Sequence, residues 1–478
     1  MKLFTDLGIR EAYDAVSQCN RCGYCAQACP TYVATGREAF SGRGRNQLVR
    51  MMMEGKLGEP ASPPAYRRGR VGGPGRAGEA FSTCLLCGAC TSACFARVPT
   101  SDLVLEGCRA AASGPVHPLV RFAFFLLEEH SGWFRRLLRL AHLAKRAGLA
   151  RMAAAVGIFR LLGLRVVGRS AEYLRCAPLR FFCEDPLLIG GRGKDAYFAA
   201  CGTNYLYPEV GRATLSVLSR FGRPLSYRPH SCCGLLEYNY GLLEKARELA
   251  RRNIQIFEPL FADESFVVVA DCSSCAAFLK SYPRLFLEDP NWLSRAEKFS
   301  SRVRDAVELI HEAAAEQGIR FRGAWPLLRP RDTLQSKMRD WWPHSIRPGA
   351  PKSIEKKTAG NYSGRVTYHD SCRARHGQGI FNQPRDILKR LDGVDFVELT
   401  ESDSCCGGAG AFGFLHAGLS EKIAERKVAC IRKTGARTVL TSSTSCLIQL
   451  GYALKKYHPE CRVMHLSQFL NENRIFIR

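Results

Sequence analysis

Cys19-Asn-Arg-Cys22-Gly-Tyr-Cys25-Ala-Gln-Ala-Cys29-Pro30 spaces four cysteines as C-x2-C-x2-C-x3-C. Three thiolates at i, i+3 and i+6 on a tight loop grip three irons of one cube, while the fourth, carried on the following helix, points to a neighbouring cube. A neighbour must then exist, and Cys84-Leu-Leu-Cys87-Gly-Ala-Cys90-Thr-Ser-Ala-Cys94 repeats the spacing. The crossed assignment places Cys19, Cys22, Cys25 and Cys94 on one [4Fe–4S] cluster and Cys84, Cys87, Cys90 and Cys29 on the other. Structural zinc takes two separated ligand pairs around one ion, which does not match runs of four thiols. Disulfides need an oxidising compartment, and Met1-Lys-Leu-Phe-Thr-Asp carries no signal directing the chain to one. Phe95 stands where the second motif usually has proline, which alters a helix detail and not the ligand count.

The 478 residues allow about three domains, and 46 % apolar content is that of a globular chain. Twenty-two cysteines therefore belong to metal chemistry or to free thiols. A formal charge of +25 implies acidic partners. No zinc finger, stacking motif or basic helix register supports nucleic acid, so anionic lipid or an acidic partner subunit is expected. No apolar run of spanning length occurs, and the expected location is the cytoplasm, with peripheral association on the cytoplasmic face of the membrane as an option.

Residues 1–112 are expected to form a helical domain around the two cubanes. Within it a basic Gly/Pro-rich loop follows Leu57, and a helical run from Leu48 to Gly55 packs beside the clusters. Arg43 and Arg45 are read as surface arginines, with compensation of cluster charge as the alternative. Residues 113–190 form a basic helical linker with apolar residues at helical spacing, such as Leu137, Leu140 and Leu143. Between 121 and 180 there are 12 Lys or Arg against 3 Glu. That pattern suits a helix lying on an anionic bilayer, or one packing on its own core or a partner.

Near Gly190 the texture changes to alternating strands and helices. Strands over Asp195–Ala200, Arg223–Arg228 and Phe266–Ala270 lead to Cys201, to Cys232-Cys233-Gly234, and to Cys272 and Cys275. In an open parallel sheet the carboxyl ends share one edge, so these five cysteines are expected to meet. Cys372, Cys405-Cys406-Gly407 and Cys446 then repeat the pattern, displaced by 171, 173 and 171 residues from Cys201, Cys232 and Cys275. A near-constant displacement means duplication. Ser443 takes the place of Cys272 in the second copy. The repeats span 191–325 and 361–478, with 326–360, containing Trp341-Trp342-Pro343, as a linker. The fold class is α+β multidomain: a helical two-[4Fe–4S] domain followed by two duplicated α/β cysteine-rich halves.

The pattern C-x30-C-C-G-x37-C-x-x-C resembles the cysteine-rich (CCG) domain of heterodisulfide reductase, in which such repeats hold non-cubane iron–sulfur clusters. That resemblance implies a third centre on Cys201, Cys232, Cys233, Cys272 and Cys275. For Cys372, Cys405, Cys406 and Cys446 a four-thiolate cluster, a reactive dithiol or buried thiols without a cluster all stay open. The whole order resembles the iron–sulfur subunit of glycolate oxidase, with relatives serving lactate and glycerol-3-phosphate oxidation. The matching residues are Val366-Thr-Tyr-His-Asp-Ser-Cys372, His376, Gln378, Gln383-Pro-Arg385, Cys405-Cys406-Gly-Gly-Ala-Gly and Ser445-Cys446-Leu-Ile-Gln449. Arg373 departs from the histidine common there, and Cys272 is a feature of the heterodisulfide type.

The resemblance implies an electron-transfer subunit, with no catalytic residue of its own, in a multisubunit oxidoreductase. It would relay single electrons from an FAD-containing subunit that oxidises a 2-hydroxy acid to a quinone or a redox-protein acceptor. The alternative is a heterodisulfide-reductase-like subunit that reduces a disulfide or quinone at the non-cubane centre. Gly408-Ala-Gly410-Ala-Phe-Gly413 fits a nucleotide fingerprint only in isolation and is read as a turn beside a cluster. His369, Asp370 and His376 are read as proton carriers or structural groups. Cys108, Cys176, Cys183, Cys430 and Cys461 are read as packing residues.

Overall fold

The computed structural model describes residues 12–57, 75–110, 118–149, 152–153, 165–175, 180–185, 188, 193–316, 364–391 and 393–473. The linker 326–360, the loop after Leu57, Cys176 and the stretch Phe159–Leu164 lie outside the described residues.

Short helices make up the N-terminal part, and the longest there are Gly42–Met53 and Thr100–Ala110. The first begins six residues before the expected run. Ser41 caps it by accepting the Gly44 amide at 2.8 Å, and a Ser N-cap supplies an acceptor for an otherwise orphaned donor. Its inward stripe is Gly42, Arg45, Asn46 and Val49, one face at helical spacing. Val49 packs in the same core as Phe81, Leu103 and Val104.

Two four-stranded parallel sheets follow. β1 (Asp195–Phe198), β2 (Leu225–Tyr227), β3 (Val268–Ala270) and β4 (Val303–Asp305) stand in the order β2-β1-β3-β4. β5 (Arg365–Tyr368), β6 (Asp395–Phe396), β7 (Thr438–Thr441) and β8 (Arg462–His465) stand in the equivalent order β6-β5-β7-β8. β1, β3 and β7 are buried throughout, as helices on both faces of a parallel sheet require.

The halves pack about a pseudo-twofold seam. Helix Pro208–Arg220 of the first half lies against Leu466–Glu472 of the second, and Ala306–Glu316 lies against Asn382–Lys389 in the reciprocal contact. On the axis, duplicated positions meet each other: Cys272 Sγ is 3.3 Å from Ser443 Oγ. Beside it Ser273 donates to Ser442 Oγ at 2.8 Å, and its amide bonds the Ser442 carbonyl at 2.9 Å.

The basic middle segment contains helices Pro118–Glu129, Ser131–Arg146 and Arg165–Tyr173. One side packs on the first half, with Phe134 against Tyr205 and the Arg139 guanidinium over Phe181. The other side leaves Trp133, Leu137 and Leu140 exposed. Among the described residues no helix is long and apolar enough to cross a membrane.

Candidate metal centres

Among the N-terminal cysteines, the structure places Cys29 with the second motif. A cavity is lined by Cys29, Cys84, Cys87 and Cys90, together with Gly42 and Arg45. Cys29 thus leaves its own loop to join the second motif. Cys25 lies near Cys19, Cys29 and Cys94, and burial lifts its thiol to about 11. Burial likewise lifts Cys90 to about 12. A buried thiol ionises readily only beside a cation or metal, and metal ligation removes the proton outright.

Gly42 sits between the two sites. A Cβ there would come within 2.8 Å of the Cys90 Cβ and 3.3 Å of the Cys25 Sγ. Any side chain would wedge the loops apart.

Arg45 corrects the surface reading. It is 1 % exposed and lines the cavity. Its guanidinium donates to the Phe40 carbonyl at 2.6 Å, the Ala80 carbonyl at 2.8 Å and Thr31 Oγ1 at 3.1 Å. The Cys29 sulfur lies 3.6 Å away, and no carboxylate among the described residues pairs with it. Burial alone would pull Arg45 down, but the thiolates of Cys84 and Cys29 outweigh it and its pKa ends above the ordinary value. A buried charge needs a partner, and a thiolate-bound cluster supplies one, so the donor set and the cation both fit an iron–sulfur centre. Its position at the third step of the Gly42–Val49 stripe was the sequence signal for burial. Arg43, by contrast, is near the surface and paired with Glu38 at 2.7 Å.

In the first half, three strand ends bring five thiols together. Cys201 opens helix Cys201–Tyr205 after β1, and Cys272 caps helix Ser273–Lys280 after β3. Cys201 lies against Cys232, Cys233 is 3.5 Å from Cys275, and Cys275 lies against Cys272. Hydrogen bonds from Cys275, Ser443 and Thr444 hold Cys272 well below the usual thiol range despite its burial. The second half thereby closes over the first half's site.

The second half gathers Cys372, Cys405, Cys406 and Cys446 in the same way, each against the next. Gly234 and Gly407, the third residues of the two Cys-Cys-Gly triplets, both have φ of 88°. Only glycine adopts this conformation freely, and at Gly407 a Cβ would also meet the Ser420 carbonyl at 3.0 Å. The Gly408–Gly413 stretch continues that turn, with Gly408 close to Cys406 Sγ.

The second half's site adjoins the N-terminal part. The charges of Cys372 and Cys405 act on Cys87 or are acted on by it. Arg373 reaches Asn239 at 3.2 Å and stabilises the thiolates of both Cys84 and Cys372. His376 bridges the same junction, with Nδ1 3.0 Å from Ser92 Oγ. Asp370 is buried and held by Arg385 at 2.9 Å and Arg375 at 3.3 Å. His369 is wholly buried beside Cys406 and Cys446. Cys108, Cys430 and Cys461 pack in the apolar cores.

The profile of the 4Fe-4S dicluster domain matches residues 15–98, and that of the cysteine-rich domain matches 196–280 and 366–451. The chain is 27 % identical over 467 residues to the probable glycolate oxidase iron-sulfur subunit of Bacillus subtilis, covering 95 % of this chain and 93 % of that protein. It is also 27 % identical over 279 residues to lactate utilization protein A of Bacillus subtilis, covering 58 % of this chain and 99 % of the relative. The corresponding protein of Exiguobacterium is 28 % identical over 278 residues, 58 % of this chain and 96 % of its own length. The chain thus carries one 4Fe-4S dicluster domain and two cysteine-rich domains, and along nearly its whole length it resembles the iron–sulfur subunit of glycolate oxidase.

Proposed function

We propose that the chain is the electron-relay subunit of a multisubunit oxidoreductase that oxidises a 2-hydroxy acid. The observation that carries the reading is the unbroken run of thiol sites. Gly42 lies between Cys25, of the set assigned to Cys19, Cys22, Cys25 and Cys94, and Cys90 of the Cys29/Cys84/Cys87/Cys90 set, and Cys87 of the latter lies near Cys372 and Cys405. Clusters held there would supply one-electron carriers, with potentials tuned by burial, charge and hydrogen bonds. The chain's own residues fix the carriers' positions, keep water from them and supply counter-charge.

Electrons enter from an FAD-containing subunit, as the glycolate and lactate names of the relatives suggest. Tyr24 and Phe95 form an exposed edge-to-face pair, 62 % and 87 % exposed, beside the first cysteine set. Such aromatic surface suits a docking site for a redox partner. Electrons leave to a quinone or a redox protein. A cleft lined by Tyr32, Val33, Phe381, Arg375 and His376 runs past Ser404, next to Cys405, and joins apolar walls to polar and charged groups as a quinone site requires. The third, non-cubane centre belongs to Cys201, Cys232, Cys233, Cys272 and Cys275. The exposed stripe Trp133, Leu137 and Leu140 favours peripheral attachment to an anionic membrane surface.

The test is anaerobic mixing of the purified complex with glycolate or lactate while the clusters are followed by EPR. Reduction of the clusters through the flavoprotein is expected. A complex without flavin, or clusters that stay oxidised with every 2-hydroxy acid, would overturn the reading. Cys272→Ala separates this function from direct disulfide reduction. The relay reading expects oxidation of the hydroxy acid with an artificial acceptor to persist, whereas a catalytic non-cubane site would lose all turnover.

A further inference from the structure

The duplication is imperfect at one functional position, and the imperfection comes with a substitute. Where the first half has Cys272, the second has Ser443, whose hydroxyl is taken up by the seam through Cys272, Ser274 and Ser445 at 3.3, 3.0 and 2.9 Å. It does not turn back toward the four thiols of its own half. In its place stands His369, the residue after β5. Its backbone amide extends the β5–β7 ladder by donating to the Leu440 carbonyl at 2.8 Å, which fixes the ring at the carboxyl edge of the sheet. The ring is 0 % exposed, and neither nitrogen makes a well-formed hydrogen bond; the Ser402 backbone is the one hydrogen-bonding group near enough to act on it. One ring nitrogen, Cys406 Sγ and Cys446 Sγ all lie within 4.8 Å of one another.

The Ser402 backbone can serve at most one of the two nitrogens, and a buried imidazole nitrogen left unsatisfied is costly unless something binds it. The first half offers no such group. By the displacement of the repeat its counterpart to His369 is Phe198, whose ring stacks on His230 at 3.9 Å. The second half has exchanged a thiolate for an imidazole.

We propose that His369 is a nitrogen ligand of a metal centre in the second half, bound together with Cys406 and Cys446. The inference rests on the reading that this half's cysteines hold metal. A mixed imidazole and thiolate set takes iron or zinc, and three donors at this separation reach one ion. Cys405, which lies against Cys406, supplies the fourth donor of a tetrahedral site. The other groups near it are Lys427, Tyr173, Gln449 and the Ser402 backbone, with Arg373 and Cys87 on the Cys372 and Cys405 side; of these only Cys87 could ligate as an anion, and it lines the cavity of the Cys29, Cys84 and Cys90 set.

The test uses the full-length protein purified anaerobically, with His369→Ala, His369→Cys and Cys446→Ser alongside. Metal content is measured per chain, with pulsed EPR for nitrogen coupling to iron and X-ray absorption at the zinc edge. Wild type is expected to show a strongly coupled imidazole nitrogen that His369→Ala lacks. A chelator is expected to strip the centre at least tenfold faster from His369→Ala, while His369→Cys keeps the metal with sulfur in place of nitrogen. His369→Cys also keeps the test decisive should His369→Ala fail to fold. A centre that Cys446→Ser removes but that shows no histidine nitrogen in wild type overturns the role of His369 alone. Equal metal content in wild type and Cys446→Ser overturns both this inference and the metal reading of the second half.

Discussion

Arg45 is the residue whose environment says most about what its neighbours hold. Its guanidinium is sealed from water, spends its donors on neutral acceptors and lacks a carboxylate, so the thiolates of Cys29, Cys84 and Cys90 are its counter-charge. A fixed cation stabilises the reduced, more negative state of a cluster. Arg45→Gln is therefore expected to lower the midpoint potential of the Cys29/Cys84/Cys87/Cys90 cluster by at least a tenfold change in the reduction equilibrium, about 59 mV for one electron. Arg45→Lys keeps the charge but loses the fork that serves the Phe40 and Ala80 carbonyls. It is expected to hold the potential closer to wild type at a cost of about 1–3 kcal/mol in stability. Potentiometric EPR and thermal melting separate the two effects, and an unshifted midpoint in Arg45→Gln would show that the charge is balanced elsewhere.

At the scale of elements, the sequence told much through cysteine spacing and little through propensity. The repeat displacement and the apolar run Phe266–Ala270 announced two parallel sheets, because buried strands read as unbroken hydrophobic runs. β4 and β8 escaped, since Val303-Arg-Asp305 and Arg462-Val-Met-His465 are short and carry charge at their ends. The seam was illegible for a different reason. Nothing local to Ser443 says that its hydroxyl meets Cys272, because that contact arises only when the copies pack. In the middle segment the 3.6-residue period was plain, yet it could not say which face packs inward. Helix Ser131–Arg146 buries His142 and turns Phe134 toward Tyr205, leaving Leu137 and Leu140 44 % and 61 % exposed. Burying a leucine is worth about 1.5–3 kcal/mol, and Arg136 beside Trp133 adds positive charge on that face. The double variant Leu137→Glu/Leu140→Glu is expected to abolish flotation with anionic vesicles at low salt while leaving cluster content unchanged. Wild-type protein that fails to float would remove the membrane from consideration and leave a partner subunit as the occupant.

Across the whole molecule, the proposed electron path depends on the crossing that the motif spacing implies. Cys29 belongs to the first motif by position, four residues after Cys25, but it lines the cavity of the second. Cys94 belongs to the second motif but faces Cys25 of the first. Under the proposed relay each loop holds a ligand of the other's cluster, with Gly42 lying between Cys25 and Cys90. Cys29→Ser is expected to deplete the cluster held by Cys84, Cys87 and Cys90, leaving the signal of the Cys19/Cys22/Cys25 cluster; Cys94→Ser is expected to do the reverse. Neighbours in sequence would give the opposite pattern, so the pair of variants distinguishes the arrangements where either alone could be mistaken for general damage. Iron content and EPR of the reduced proteins read the outcome, and wild type is expected to show spin coupling between the two clusters that both variants lose. Selective loss of the Cys19/Cys22/Cys25 signal in Cys29→Ser would uncouple the two loops and break the run of sites between Cys22 and Cys372.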